Sequence, residues 1–201
     1  MSASIDFYFD FSSPYGYLAS ERIEAIAARH GRSVDWHPML LGVVFKHTGA
    51  APLTMIPLKG DYSRRDMERS ARFHGVSEFR MPSKFPIPSQ APARIVLWQK
   101  QRDLALAASL VHALYRAFFV DDIDISVPDN AVAAAANCGI NATAARAAID
   151  DPTVKDALRQ ANDDAMARGV FGSPFIIVDG EPFWGLDRLD QVERWLITGG
   201  W

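Results

Sequence analysis

Phe7-Tyr8-Phe9-Asp10-Phe11-Ser12-Ser13-Pro14-Tyr15-Gly16-Tyr17-Leu18 passes from one periodicity to another within twelve residues. With Ile5 ahead of it, the first part alternates: Ile5, Phe7, Phe9 and Phe11 on one side, Asp6, Tyr8 and Asp10 on the other. Period two in aromatic and branched residues predicts a strand. After Ser12-Ser13-Pro14 the spacing becomes helical, with Ala19, Ile23 and Ile26 on one stripe and Gly31 as the stop. A second strand is expected over Ser33 to His37, ending at Pro38.

The other end of the chain has a different order. Phe175 to Val178 is a short apolar run, Asp179-Gly180 is a hairpin turn, and Pro182-Phe183-Trp184 is the return strand. Asp187 is placed to cap a last helix carrying Leu189, Val192 and Leu196. Between the two ends the pattern is helical. Helices are expected at Ser63–His74, Arg94–Val120 (with a break near Arg102-Asp103), Pro128–Cys138, Asn141–Ile149, and from an Asp151 cap to Arg168. Prolines 82, 86, 88 and 92 make Pro82 to Pro92 an irregular loop. The expectation is an α/β fold: one sheet built from both chain ends (1–45 and 169–201) with an all-helical insertion, 46–168, between them.

Composition excludes several classes. The chain has 201 residues, is 49% hydrophobic and 22% charged, and carries a net charge of -3, so a nucleic-acid partner is not expected. It holds no apolar run of membrane-spanning length, and MSASIDF at its start lacks a basic, apolar leader. A cytoplasmic protein is expected. Cys138 is the only cysteine, which excludes an intrachain disulfide. The five histidines show no ligand spacing, and no metal site is expected.

Two turns can carry chemistry. At Ser12-Ser13-Pro14 the unpaired N–H groups of a helix start and its dipole can stabilise an anion, including a thiolate. The other reading is that Ser12 or Ser13 only caps the helix. At Gly172-Ser173-Pro174 a proline enters a strand, where trans is the usual isomer and cis is possible.

FYFDFSSPYGYL (7–18), FGSPFIIVDG (171–180) and WGLDRL (184–189), in this order over nearly the whole chain, resemble the 2-hydroxychromene-2-carboxylate isomerase family. These are relatives of kappa-class glutathione transferases within the DsbA-like thioredoxin superfamily. The resemblance implies a thioredoxin-like domain interrupted by helices, in agreement with the pattern above. It implies glutathione as cofactor, a small aromatic substrate and a homodimer. Where redox relatives place CxxC, this chain has Ser13-Pro14-Tyr15-Gly16.

By resemblance Ser13 contacts the glutathione sulfur, Pro174 is a cis-proline, and the Ser173 backbone pairs with the cysteinyl backbone. Asp187 takes the γ-glutamyl end and Lys59 the glycyl end. Tyr15, Tyr62 and Phe85, with Tyr8 and Trp184, are candidates to surround a planar substrate, and Arg94 to meet its carboxylate. Two positions depart from the family pattern: an asparagine nine residues before the lysine is Ala50, and the residue before Asp187 is Leu186. The implied activity is glutathione-dependent isomerisation of an aromatic carboxylate by reversible thiolate addition. The alternatives are a kappa-type transferase and a thioredoxin-like binding module without chemistry.

Overall fold

A computed structural model describes residues 4–201. Four strands form one mixed sheet in the order β2-β1-β3-β4: β1 (Ile5–Phe9), β2 (Val34–Pro38), β3 (Phe175–Val178) and β4 (Glu181–Trp184). β1 runs parallel to β2 and antiparallel to β3, and β4 is antiparallel to β3. α1 (Pro14–Arg29) joins β1 to β2 as a crossover. Between β2 and β3 lie α2 (Leu41–Thr48), α3 (Lys59–Phe73), α4 (Gln90–Lys100), α5 (Leu104–Phe119), α6 (Pro128–Asn137), α7 (Ala142–Asp150) and α8 (Pro152–Ala167). α9 (Leu189–Thr198) follows β4. The sheet is therefore assembled from both chain ends, as the two flanking patterns predict.

One apolar core runs from Ile5, Phe7, Phe9 and Ile176 through Leu110, Tyr115 and Phe119 into the alanine-rich helices at Ala135 and Ala145. A second, smaller cluster covers the other sheet face with Tyr8, Met39, Val44, Ala165, Val170, Phe175 and Ile177. Both faces of β1 are thus covered. Tyr8 and Asp10, on the second side of the alternation, are buried along with Phe7, Phe9 and Phe11 on the first.

Several boundaries differ from the sequence reading. β1 ends at Phe9 rather than Phe11. α2 lies where no helix is expected, and α3 begins at Lys59, four residues before Ser63. The proline-rich loop stops at Ser89, because Pro92 falls in the first turn of α4. There its missing N–H removes no intrahelical bond. The expected break is present, and Asp103 caps α5 by accepting from Leu106 N–H at 2.9 Å. Asp151 caps α8, accepting from Thr153 N–H at 2.7 Å. Asp187 does not cap α9. It sits in a separate 3₁₀ turn, Leu186–Arg188, and α9 starts without a side-chain cap.

His112 of α5 fastens α1 to the helical block, with Nε2 3.1 Å from Glu24 and Nδ1 3.7 Å from Glu21. Burial opposes its charge, but bonds to Glu21 and Glu24 outweigh burial and raise its pKa to about 9. A raised cation stabilises fully below the ordinary histidine value near 6.5, and the contribution is lost as pH rises through 9. His112→Gln is expected to flatten the fall in stability between pH 7 and 10, measured by urea denaturation. An unchanged slope would show that the pair does not contribute.

Candidate active site

The strand directions bring four chain segments to one end of the sheet. β1 and β2 finish there, β3 begins there opposite Tyr8, and β4 finishes there opposite Phe175. The start of α1, the start of α2, the Gly172-Ser173-Pro174 turn and the Asp187 turn consequently surround a common cleft of about 1410 Å³. α3 and the Phe85–Ser89 loop form its remaining wall.

Ser13 is the N-cap of α1. Its hydroxyl accepts from Gly16 N–H at 3.0 Å and donates to the Ser173 carbonyl at 2.8 Å. Ser173 in turn receives Asp10 N–H on its Oγ at 3.1 Å. The two turns singled out in the sequence are thus fastened together. Ser13 N–H is used by the Asp10 carbonyl at 2.9 Å, and Pro14 has none. Among the described residues, this leaves Tyr15 N–H at the helix start and Ser173 N–H in the neighbouring turn without partners. The Ser173-Pro174 bond is cis, as the resemblance implies, and Phe85-Pro86 is a second cis bond that the sequence reading does not anticipate.

Beneath this pair lies Asp10, which sequence reasoning misses. Its carboxylate is buried and accepts from Ser12 N–H at 2.7 Å and Leu41 N–H at 2.6 Å, with the Ser89 hydroxyl as a further donor. Burial raises its pKa, against the lowering effect of those donors. One side chain therefore ties the end of β1, the start of α2 and the proline-rich loop to the α1 start. The loop is held again where Ile87 N–H donates to Ser12 Oγ at 3.1 Å.

The predicted aromatic residues divide. Tyr15, Tyr62 and Phe85 all line the cleft. Tyr15 donates to Asp66 at 2.7 Å, and burial together with that carboxylate pushes its pKa far up, so the phenol stays protonated. Asp66 is also held by Arg69 and lines the same wall. Trp184 lines the cleft from the β4 side, edge-on to Phe171 at 4.8 Å. Its indole lies over Gly172, where an added Cβ would stand 2.2 Å from Nε1. Tyr8 is not at the site. It lies under the sheet, stacked on His37 at 4.6 Å and bonded by Arg168.

Ser173 and Asp187 line the cleft, and Pro174 is buried behind Ser173. Asp187 is mostly exposed, 3.7 Å from Arg188. Lys59 is exposed at the start of α3 and is not among the lining residues, whereas Lys46 of α2 is. Arg94 faces away into the helical block and donates to the Ile149 carbonyl at 3.1 Å. Asp6, Asp35 and His37 approach one another at metal-ligand spacing. Their carboxylates are paired with Arg168 at 2.7 Å, Lys100 at 2.5 Å and His37 at 3.0 and 3.2 Å, an ion-pair network remote from the cleft.

Gly16 occupies a sealed position. A Cβ there would lie 2.7 Å from Tyr115 Oη and 2.8 Å from Ser173 Oγ. Tyr115 is fully buried and donates to the Asp10 carbonyl at 3.0 Å, so it has nowhere to retreat. Gly16→Ala is expected to lower stability by about 1–3 kcal/mol through overpacking. Chemical denaturation checks this, and a neutral result would mean the turn relaxes freely.

A family model described as a DSBA-like thioredoxin domain matches residues 4–196. The chain belongs to this family. Within it, the chain groups with 2-hydroxychromene-2-carboxylate isomerases and kappa-class glutathione transferases. It is 30% identical to a 2-hydroxychromene-2-carboxylate isomerase of Sphingobium xenophagum over 200 residues, covering 98% of this chain and 100% of the relative. It is 27% identical to glutathione S-transferase kappa 2 of Caenorhabditis elegans, covering 96% and 91%. A solved 2-hydroxychromene-2-carboxylate isomerase superposes with a TM-score of 0.85 at 25% identity, covering 94% of this chain and 92% of the other. Ser13 and Gly16 stand where the resemblance places the two cysteines of redox relatives, and neither carries a sulfur. The single thiol, Cys138, is half-buried after α6, with its pKa raised by burial. Disulfide exchange at the start of α1 is therefore chemically impossible.

Proposed function

We propose that this protein is a glutathione-dependent isomerase of aromatic carboxylates, acting on 2-hydroxychromene-2-carboxylate and trans-o-hydroxybenzylidenepyruvate or a related pair. The observation that carries this reading is the unpaired Tyr15 N–H at the start of α1, beside Ser13, in the cleft that Ser173 also lines. When bound, glutathione supplies the nucleophilic thiolate that permits rotation about a conjugated double bond. The chain supplies the setting. Tyr15 N–H and the α1 dipole stabilise negative charge on sulfur and depress the thiol pKa, joined by the Ser13 hydroxyl when its single proton turns from the Ser173 carbonyl to the sulfur. Ser173 offers its N–H to a backbone laid against it, and its carbonyl is freed to accept from that backbone once the Ser13 proton turns to the sulfur. Asp187 suits an ammonium group, and Pro174 sets the Ser173 peptide. Tyr15, Tyr62 and Phe85 give the substrate an aromatic wall. The same reading takes the protein as a cytoplasmic homodimer with a small-molecule substrate and no membrane or nucleic-acid partner. Among the described residues, no helix is long and apolar enough to cross a membrane.

The kappa-class relatives favour a second reading in which the same site conjugates glutathione to an electrophile and releases the adduct. Incubation with an unsaturated aromatic ketoacid, with and without glutathione, separates the two. Geometric isomerisation that requires glutathione without consuming it is the expected result. Accumulation of a thioether would establish the transferase, and no glutathione binding would leave a module without this chemistry.

A further inference from the structure

Tyr62, Asp66 and Arg69 stand at spacings of four and three residues on α3, which brings them to one face of that helix. Tyr15, the second residue of α1, reaches the same face. The four side chains form one hydrogen-bonded patch. Tyr15 donates to Asp66 Oδ2 at 2.7 Å, and Tyr62 donates to Asp66 Oδ1 at 3.4 Å. Arg69 donates to that Oδ1 as well, and to the Tyr62 oxygen at 3.1 Å. Tyr15, Tyr62 and Asp66 line the cleft, with Arg69 behind them.

The protons of this patch are committed within it. A phenol has one hydrogen, and both phenols give theirs to Asp66. Burial raises the Tyr15 pKa and the bond to Asp66 raises it further, so that phenol keeps its proton. Burial opposes charge on Asp66, but the bonds from Tyr15 and Arg69 outweigh it and keep the carboxylate ionised. What remains for a ligand is lone pairs, on Tyr15 Oη and Asp66 Oδ2. Such a surface accepts hydrogen bonds and donates none. It suits a neutral hydroxyl. A carboxylate, a phenolate or an ether brings only lone pairs of its own and is turned away. The neighbouring lining residues Met67, Phe85 and Ile87 are apolar, which suits a hydroxyl carried on an aromatic ring.

Resting on the aromatic-carboxylate reading above, we infer that Tyr15 and Asp66 form a subsite for a neutral hydroxyl on the substrate's ring, and that this subsite turns the substrate's carboxylate away from α3.

The test measures, by calorimetry, the binding of three probes to the glutathione-loaded protein: trans-2-hydroxycinnamate, trans-cinnamate and trans-2-methoxycinnamate. They share a ring and a carboxylate, and differ in carrying a donor, no polar group or only an acceptor at the ortho position. Wild type is expected to bind the hydroxy compound roughly tenfold more tightly than the other two, as for one hydrogen bond to a charged acceptor. Asp66→Asn exchanges a charged acceptor for an amide that also donates, and should bind the hydroxy compound no better than cinnamate while keeping the wild-type affinity for cinnamate itself. A merely structural role would instead lower all three affinities together. Tyr15→Phe, which leaves the carboxylate in place, should retain a reduced preference, and thermal melts verify the folding of both variants. Equal binding of the hydroxy and unsubstituted probes by wild type, methoxy binding as tight as hydroxy, or an undiminished preference in either variant would each overturn the assignment while leaving the aromatic-carboxylate reading intact. Failure of wild type to bind any of the three would remove that reading, and this subsite with it.

Discussion

Asp10→Ala is expected to lower the unfolding free energy by about 2–5 kcal/mol and to abolish glutathione-dependent turnover. The carboxylate receives two backbone N–H groups, from Ser12 and Leu41, in a site closed to water. Each buried donor left unpaired costs about 1–3 kcal/mol. The functional loss should exceed what instability alone causes, because Asp10 also fixes α2 and the loop at Ser89 relative to the start of α1. Urea denaturation gives the first quantity, and turnover of the folded fraction gives the second. Asp10→Asn should lie between, since an amide oxygen can accept one of the two N–H groups but its NH₂ meets the other. Wild-type stability in the alanine variant would mean that other groups reclaim both donors.

Ser13→Ala is expected to reduce the glutathione-dependent rate by roughly 10- to 150-fold, the equivalent of about 1.5–3 kcal/mol for one hydrogen bond to a charged partner. A stability loss of about 0.5–2 kcal/mol should accompany it, because the hydroxyl caps α1 through Gly16 N–H. The two effects are separable. Ser13→Gly restores most of the capping preference and therefore stability, but not the rate. A full rate in Ser13→Ala would assign the thiolate to Tyr15 N–H and the helix dipole alone. Ser13→Cys should yield no dithiol oxidase, since the partner position, Gly16, holds neither sulfur nor room for one; insulin reduction by dithiothreitol tests this.

How far the sequence was legible depended on whether local chemistry and tertiary packing agreed. The first strand (two residues shorter than its alternation), the α1 cap, the Asp179-Gly180 hairpin, the helix break at Arg102-Asp103 and the Asp151 cap are local signals, and each is realised in place. Asp10 does not stand out in the sequence because alternation groups it with Asp6 and Tyr8, and the cover that α2 and α8 give that face is tertiary. No spacing rule marks a carboxylate whose donors come from Leu41 and Ser89. α2 itself is eight residues between two prolines, too short for its period to stand out, and Lys46 was missed with it. Asp187 looked like a cap because aspartate before an apolar helix usually is one. The intervening 3₁₀ turn turns it toward the cleft instead. The site residues on the two motif turns were legible for the opposite reason: Ser13, Ser173 and Pro174 are constrained by their own turns before any partner arrives.

The hydrogen bond from Ser13 to Ser173 spans 160 residues of chain, and this has a consequence for synthesis. A polypeptide leaves the ribosome N-terminus first, so β1, α1 and β2 exist long before β3. At about 5–20 residues per second, β1 waits on the order of ten seconds or more for the strand that fills its second edge. Until then Ile5-Asp6-Phe7-Tyr8-Phe9 presents an open row of backbone donors and acceptors beside three aromatic rings, a template for pairing with another nascent chain. The helices made in the interval, α2 to α8, are what can shelter it, since both apolar clusters draw on them and on β1 together. An internal deletion of residues 175–178 that spares every helix would therefore leave a chain rich in secondary structure with β1 uncovered along one edge.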